Sequence, residues 1–176
     1  MKRKRLTFVF WGGLLLSASL LHGCWWYSFS NASLPPSLKT IYIGYIDNKA
    51  PLVNPALSSV VTEQLKDKFV KLTKLSLVDE DDDWDLKIEG EITDYDTKSI
   101  AVTAEEMASM QRLTVTVKIS FENKQDPSQS FSSKQFSKFS DYPATKSLSE
   151  VESSLVPEIV EQLVEEIFNA AVASNW

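Results

Sequence analysis

The 176-residue chain holds one cysteine, one histidine and five glycines, and each scarcity removes a class of chemistry. A single cysteine excludes an internal disulfide. The lone histidine stands at position 22, inside an N-terminal apolar leader. The body of the chain therefore has no partner for a Ser-His-Asp or Cys-His nucleophile, and no zinc site of the usual N/S type. Glycines at 12, 13, 23, 44 and 90 are nowhere spaced as a phosphate-cradling loop. Beyond the first five residues the only arginine is Arg112, and Asp+Glu outnumber Lys+Arg by 24 to 18. Such a balance suits nucleic acid poorly. Carboxylate-only chemistry, for example a glycosidase pair at Glu89 and Glu91, is the catalytic class that composition leaves open. The reading is of a protein that is not an enzyme and has no metal site.

What is present begins at the N-terminus. Lys2-Arg3-Lys4-Arg5 precedes an apolar run over residues 6–21, which Gly12 and Gly13 interrupt and Leu21-His22-Gly23-Cys24 ends. A basic start, an apolar middle and small residues at a cut site are the parts of a secretory signal. The run is shorter than the roughly 20 residues of a spanning helix. Leu21-x-Gly23-Cys24 resembles the lipobox of bacterial lipoproteins. That resemblance implies a covalent diacylglycerol and an N-acyl chain on Cys24, with no other cofactor. The rival reading is an uncleaved anchor with a chance cysteine. A lone cysteine at the exit of an apolar leader favours modification, and buried acyl chains contribute roughly 0.8 kcal/mol per CH₂ to membrane attachment.

Three parts follow: a signal peptide over 1–23, a lipidated tether over 24–34 and a single globular domain over 35–176. Cleavage takes away the only histidine and four cations, so the mature chain is more acidic than the net −6 of the whole. About 150 residues remain, enough for one domain with a real core. Trp25-Trp26-Tyr27 in the tether suits a membrane interface; packing on the domain edge is the alternative. Trp25 stands where enteric lipoproteins retained at the inner membrane carry Asp, which points to the outer membrane.

Beyond the tether the patterning is regular. Residues 40–46 alternate as a strand, with Ile41, Ile43 and Tyr45 on one side. Asn54-Pro55 reads as N-cap and first helical residue, and Leu57, Val61, Leu65, Phe69 and Leu72 form one apolar stripe. Residues 75–78 make a short strand. The acidic run 79–85 lacks the alternation and glycine of a calcium loop and reads as a solvated loop. Strands follow with Leu86, Ile88 and Ile92 inward, then Leu113, Val115, Val117, Ile119 and Phe121 inward. Residues 131–139 form a polar strand, at an edge or facing a ligand. Between the long strands, residues 96–111 with Met107 and Met110 read as a long loop. Ser147-Leu148-Ser149-Glu150 fits a capping box. It opens a helix with stripe Val151, Leu155, Ile159, Leu163, Ile167, Ala170 and Ala171, which Pro157 should kink or restart near Ser154. Glu158, Glu161, Glu165 and Glu166 read as its solvated side. The fold class is α+β: a two-layer sandwich of two amphipathic helices on an antiparallel sheet of about four strands.

Several of these segments together are similar to LptE-type lipopolysaccharide-assembly lipoproteins, in particular Bacteroidetes-type members. They are Tyr27-Ser28-Phe29-Ser30, Leu34-Pro35-Pro36-x-x-Lys39-Thr40-Ile41, Asp85-Leu86-x-Ile88-x-Gly90-x-Ile92-Thr93-Asp94-Tyr95, Arg112-Leu113-Thr114-Val115-x-Val117, Phe121-Glu122-Asn123 and Phe136-Ser137-x-Phe139. The resemblance implies a lipid-anchored protein on the periplasmic face of the outer membrane. Its partners would be an LptD-like β-barrel, whose polar interior it would plug, and lipopolysaccharide. Arg112, Lys118, Lys134 and Lys138, expected on outward faces of adjacent strands, are the candidate contacts to lipopolysaccharide or barrel. The competing expectation pairs them with Glu89 and Glu91 across the sheet. A second function class is an auxiliary lipoprotein that carries lipid in an apolar cavity for another envelope transport system.

Overall fold

The computed structural model describes residues 34–52, 54–100 and 109–173. Along the chain run β1 (Thr40–Ile43), β2 (Asp47–Asn48), α1 (Leu57–Leu72), β3 (Ser76–Leu77), β4 (Leu86–Ile100) and β5 (Met110–Asn123). A 3₁₀ turn (Pro127–Gln129), β6 (Phe131–Pro143), α2 (Leu148–Phe168) and a π turn (Asn169–Ala173) complete it. The sheet order is β3-β1-β4-β5-β6, with β2 also paired to β4.

This corrects the expected antiparallel sheet of about four strands. The described residues form six strands, and the sheet is mixed: β1 pairs parallel with β3 and β4, and β2 pairs parallel with β4. Only β4, β5 and β6 are antiparallel neighbours. The cause lies in β1-α1-β3, where the intervening helix carries the chain back to its starting end, as a parallel connection requires. β3 falls inside the short strand expected at 75–78, whereas β2, at two residues, is too short for alternation to reveal.

Both helices cover one face of the sheet. Ile41, Ile88, Ile92, Val117 and Ile119 meet Leu57, Val61, Leu65, Phe69, Ile159, Leu163 and Ile167, all with no exposed surface. Each such side chain stabilises the fold by roughly 1.5–3 kcal/mol. Phe69 and Phe168 pack edge to face at 5.0 Å, joining the two helices, and Lys68 pairs with Glu165 across the same seam.

Local departures from simple alternation have identifiable causes. Ile92 and Tyr95 are both buried although three residues apart. An irregularity between Ile92 and Asp94 adds a residue on β4, so that Ile92 faces Val117 and Tyr95 faces Val115. Tyr45 is 60% exposed and Ile46 fully buried, because β1 ends at Ile43 and the alternation restarts beyond Gly44. The expected inward place of Tyr45 is thus wrong by one residue. Where it is described, the stretch expected as a loop over 96–111 is strand at both ends: β4 runs on to Ile100 and β5 begins at Met110, while residues 101–108, Met107 among them, lie outside the described residues.

Helix ends follow local chemistry. Asn54 Oδ1 accepts from Ala56 N–H at 2.9 Å, and α1 begins at Leu57. Ser147 N–H donates to Glu150 at 2.6 Å, the acidic half of the capping box. α2 runs continuously from Leu148 to Phe168 with Pro157 inside it, so the helix does not restart near Ser154. Glu165 and Glu166 are braces rather than a purely solvated side: Glu165 ties α2 to α1, and Glu166 ties it to Lys138 of β6 at 2.9 Å.

Candidate functional site

The helix-free face of the sheet carries the outward positions of β4, β5 and β6. Arg112 and Asp141 stand opposite each other in the β5–β6 register. The guanidinium donates twice, Nε to Oδ1 at 2.7 Å and Nη2 to Oδ2 at 2.8 Å. This fork geometry is the strong form of the ion pair. Its hydrogen bonds hold the Asp141 carboxyl below the usual carboxylate range and raise Arg112. The same guanidinium lies 3.6 Å from the ring centroid of Phe139, which is 48% exposed. Thr116 and Ser137 share a hydroxyl hydrogen bond at 3.0 Å beside it.

Lys118 also faces outward, opposite both Glu91 and Gln135. It has no ion-pair partner among the described residues. It lines a shallow, open concavity of about 240 Å³ together with Asp47, Glu89, Glu91, Ser120 and Ser133.

Lys134 and Lys138 are elsewhere, which corrects their expected place. Lys138 stands opposite Val115 and Lys134 opposite Ile119, so both lie on the helix side of the edge strand. Lys138 reaches Glu166, and Lys134 lies over the rings of Phe131 and Phe136 at 5.3 and 5.4 Å. The reason is an irregularity between Ile119 and Phe121. Ser133, in the left-handed region at φ 51°, sits on the facing strand there, and the extra residue reverses the alternation of β6. The sheet therefore brings together Arg112 and Lys118 alone of the four. Pairing with Glu89 is absent as well, since Lys87 holds Glu89 at 2.9 Å. Cys24 and the tether aromatics lie outside the described residues.

Two polar clusters escaped the sequence reading. Asp85 Oδ2 accepts from Lys39 N–H at 2.7 Å, Thr40 N–H at 3.0 Å and the Thr40 hydroxyl at 3.2 Å; Gln125 donates to Oδ1 at 3.1 Å. These bonds, led by that from Lys39, lower its pKa against the opposing effect of burial. The residue closing the acidic run is thus the clamp that seats β1 beside β4. Its contact with Leu86 in sequence, at a strand start, was the available signal. Elsewhere in the run Asp83 pairs with Lys124 at 2.8 Å. Among the described residues no group of His, Cys, Asp and Glu is arranged to hold a metal. The second cluster joins Tyr95, Glu152 and Asn54.

A family model described as LptE, lipopolysaccharide-assembly, matches residues 38–171. The chain belongs to the LptE family. The LptE match starts at buried Leu38 and ends at buried Ala171, so it takes in all six strands and both helices. No curated protein matches. Among solved structures, an uncharacterised lipoprotein B from Nitrosomonas europaea is 10% identical with a TM-score of 0.51, over 84% of this chain and 94% of that one. Rare lipoprotein B from Shewanella oneidensis is 16% identical with a TM-score of 0.49, over 77% and 96%. A minor lipoprotein from Acinetobacter baumannii is 14% identical, also at 0.49, over 77% and 94%. The first of these is a likeness of fold. Among the described residues of this LptE member no helix is long and apolar enough to cross a membrane.

Proposed function

We propose that this protein is an outer-membrane lipoprotein, anchored through lipid on Cys24 at the periplasmic face. There it acts as plug and assembly partner of an LptD-type barrel that delivers lipopolysaccharide to the outer leaflet. The supporting observation is family membership over the whole folded domain, residues 38–171. The anchor rests on Leu21-His22-Gly23-Cys24, with cleavage leaving Cys24 first. The role asks the domain to fill space and grip a wall without catalysis or a resident cofactor. A packed interlayer core built on Tyr95, Phe69 and Phe136 suits a plug better than a lipid carrier, which needs an apolar cavity.

Depletion of the protein in its own cells tests this. The expected result is loss of assembled barrel and of lipopolysaccharide at the cell surface. Unchanged levels of both would overturn the proposal. Labelling with radioactive palmitate tests the anchor, with Cys24→Ser losing the label.

A further inference from the structure

We infer that the helix-free face of β4, β5 and β6 is a docking surface for a protein wall that presents lysine or arginine side chains and an apolar recess, and that it does not take lipopolysaccharide phosphate. The inference rests on the barrel-partner reading above and deepens it. Its first support is the aromatic on that face. Phe139 is 48% exposed, backed by the Arg112 guanidinium at 3.6 Å. Arg112 is itself held by two hydrogen bonds to Asp141. An exposed ring fixed in this way loses little freedom on contact, and aromatic residues and arginine are enriched at interface centres.

Charge decides the occupant. Among the cations of these strands' open face, Lys87 is held by Glu89 at 2.9 Å, Lys98 by Asp96 at 3.4 Å and Arg112 by Asp141. Glu91, Asp94 and Glu122 have no cation within ion-pair distance among the described residues, and Lys118 is the lone cation to set against them. The uncommitted charge is therefore negative. Opposed potentials steer association and exclude wrong partners, so this face attracts a basic wall and repels phosphate. In the neighbouring concavity Lys49 holds Asp47 at 3.7 Å and Lys87 holds Glu89, which leaves Glu91 as its uncommitted carboxylate, beside Lys118.

The test uses full-length, detergent-extracted protein co-expressed with its barrel. Wild type is compared with Phe139→Ala, Phe139→Trp and the double variant Glu91→Lys/Asp94→Lys for the amount of barrel recovered. Purified lipopolysaccharide is then added to wild type and to Lys118→Ala. Phe139→Ala and the charge reversal should each lower barrel recovery by about tenfold or more, the scale of a central contact. Phe139→Trp should retain it. Lipopolysaccharide binding should be unaltered by Lys118→Ala, and all variants should melt with wild type because the residues changed lie outside the core. Full recovery of barrel by Phe139→Ala and the charge reversal would overturn the docking surface while leaving the proposed function standing. Absence of barrel with wild type would overturn both. Lipopolysaccharide binding lost in Lys118→Ala would replace the protein wall with an anion site.

Discussion

The Tyr95 hydroxyl donates a hydrogen bond to the Glu152 carboxylate, fastening the middle of β4 to the first turns of α2. Asn54, just before α1, donates to the same oxygen at 2.8 Å. Both helices thus meet the sheet at one buried phenol, and Tyr95 is 2% exposed. Burial first, then the neighbouring carboxylate, pushes its pKa well above the ordinary phenol value. Because the folded value is raised, the neutral phenol contributes fully below about pH 10, and that contribution is lost as pH rises through the folded value. Tyr95→Phe should cost about 1 kcal/mol at neutral pH and flatten the alkaline limb of stability. Denaturant unfolding from pH 7 to 11 reads both; an unaltered alkaline limb would contradict the assignment.

Asp85 carries the opposite dependence. Its folded pKa is lowered by hydrogen bonds from the β1 backbone, so its stabilisation is present above about pH 4 and fades as pH falls toward the folded value. Asp85→Ala should cost about 2–3 kcal/mol, because charge-assisted bonds to two backbone N–H groups go unmade. Hydrogen exchange at Lys39 and Thr40 should accelerate in the variant and, in wild type, below pH 4. Protection at those amides in Asp85→Ala would show that the clamp is dispensable.

Gly90 is required by close approach. A Cβ there would lie 2.3 Å from the Lys118 carbonyl oxygen and 2.6 Å from Ile119 Cδ1. The carbonyl belongs to the β4–β5 ladder and cannot move alone. Gly90→Ala should destabilise by about 2–3 kcal/mol, measured as a lower urea midpoint; an unchanged midpoint would mean that the strands separate at no cost.

Much of the architecture was legible because long strands and helices repeat their pattern often enough to overcome local exceptions. Leu86, Ile88 and Ile92, Leu113 to Phe121 at every second place, and Val151 to Ile167 along α2 all face the core as their spacing predicts. The parallel pairings were not legible, since β2 and β3 hold two residues each and pairing direction leaves no local trace. Irregularities misled the site reading most. One extra residue near Ser133 moved Lys134 and Lys138 to the other side of the sheet, and single-sequence alternation cannot count such a residue. Arg112 kept its place but gained Asp141, from a strand 29 residues on. Cross-sheet carboxylates of this kind, like Glu152 beside Tyr95, come from separations that periodicity does not reach.

Ser133 offers a check on that irregularity. Its φ of 51° is a conformation that glycine adopts freely and β-branched residues resist. Ser133→Gly should be tolerated, whereas Ser133→Val should cost about 1–2 kcal/mol. Equal thermal stability of the two variants would place the strands in a different register.

The proposed role requires physical association with a barrel. The most direct measurement is intact-mass and stoichiometry analysis of the complex purified from its own envelope through an affinity tag after Trp176. The predicted result is an equimolar LptD-like barrel, together with a mature chain that starts at an acylated Cys24. A chain recovered alone, with residues 1–23 still attached and Cys24 free, would contradict it.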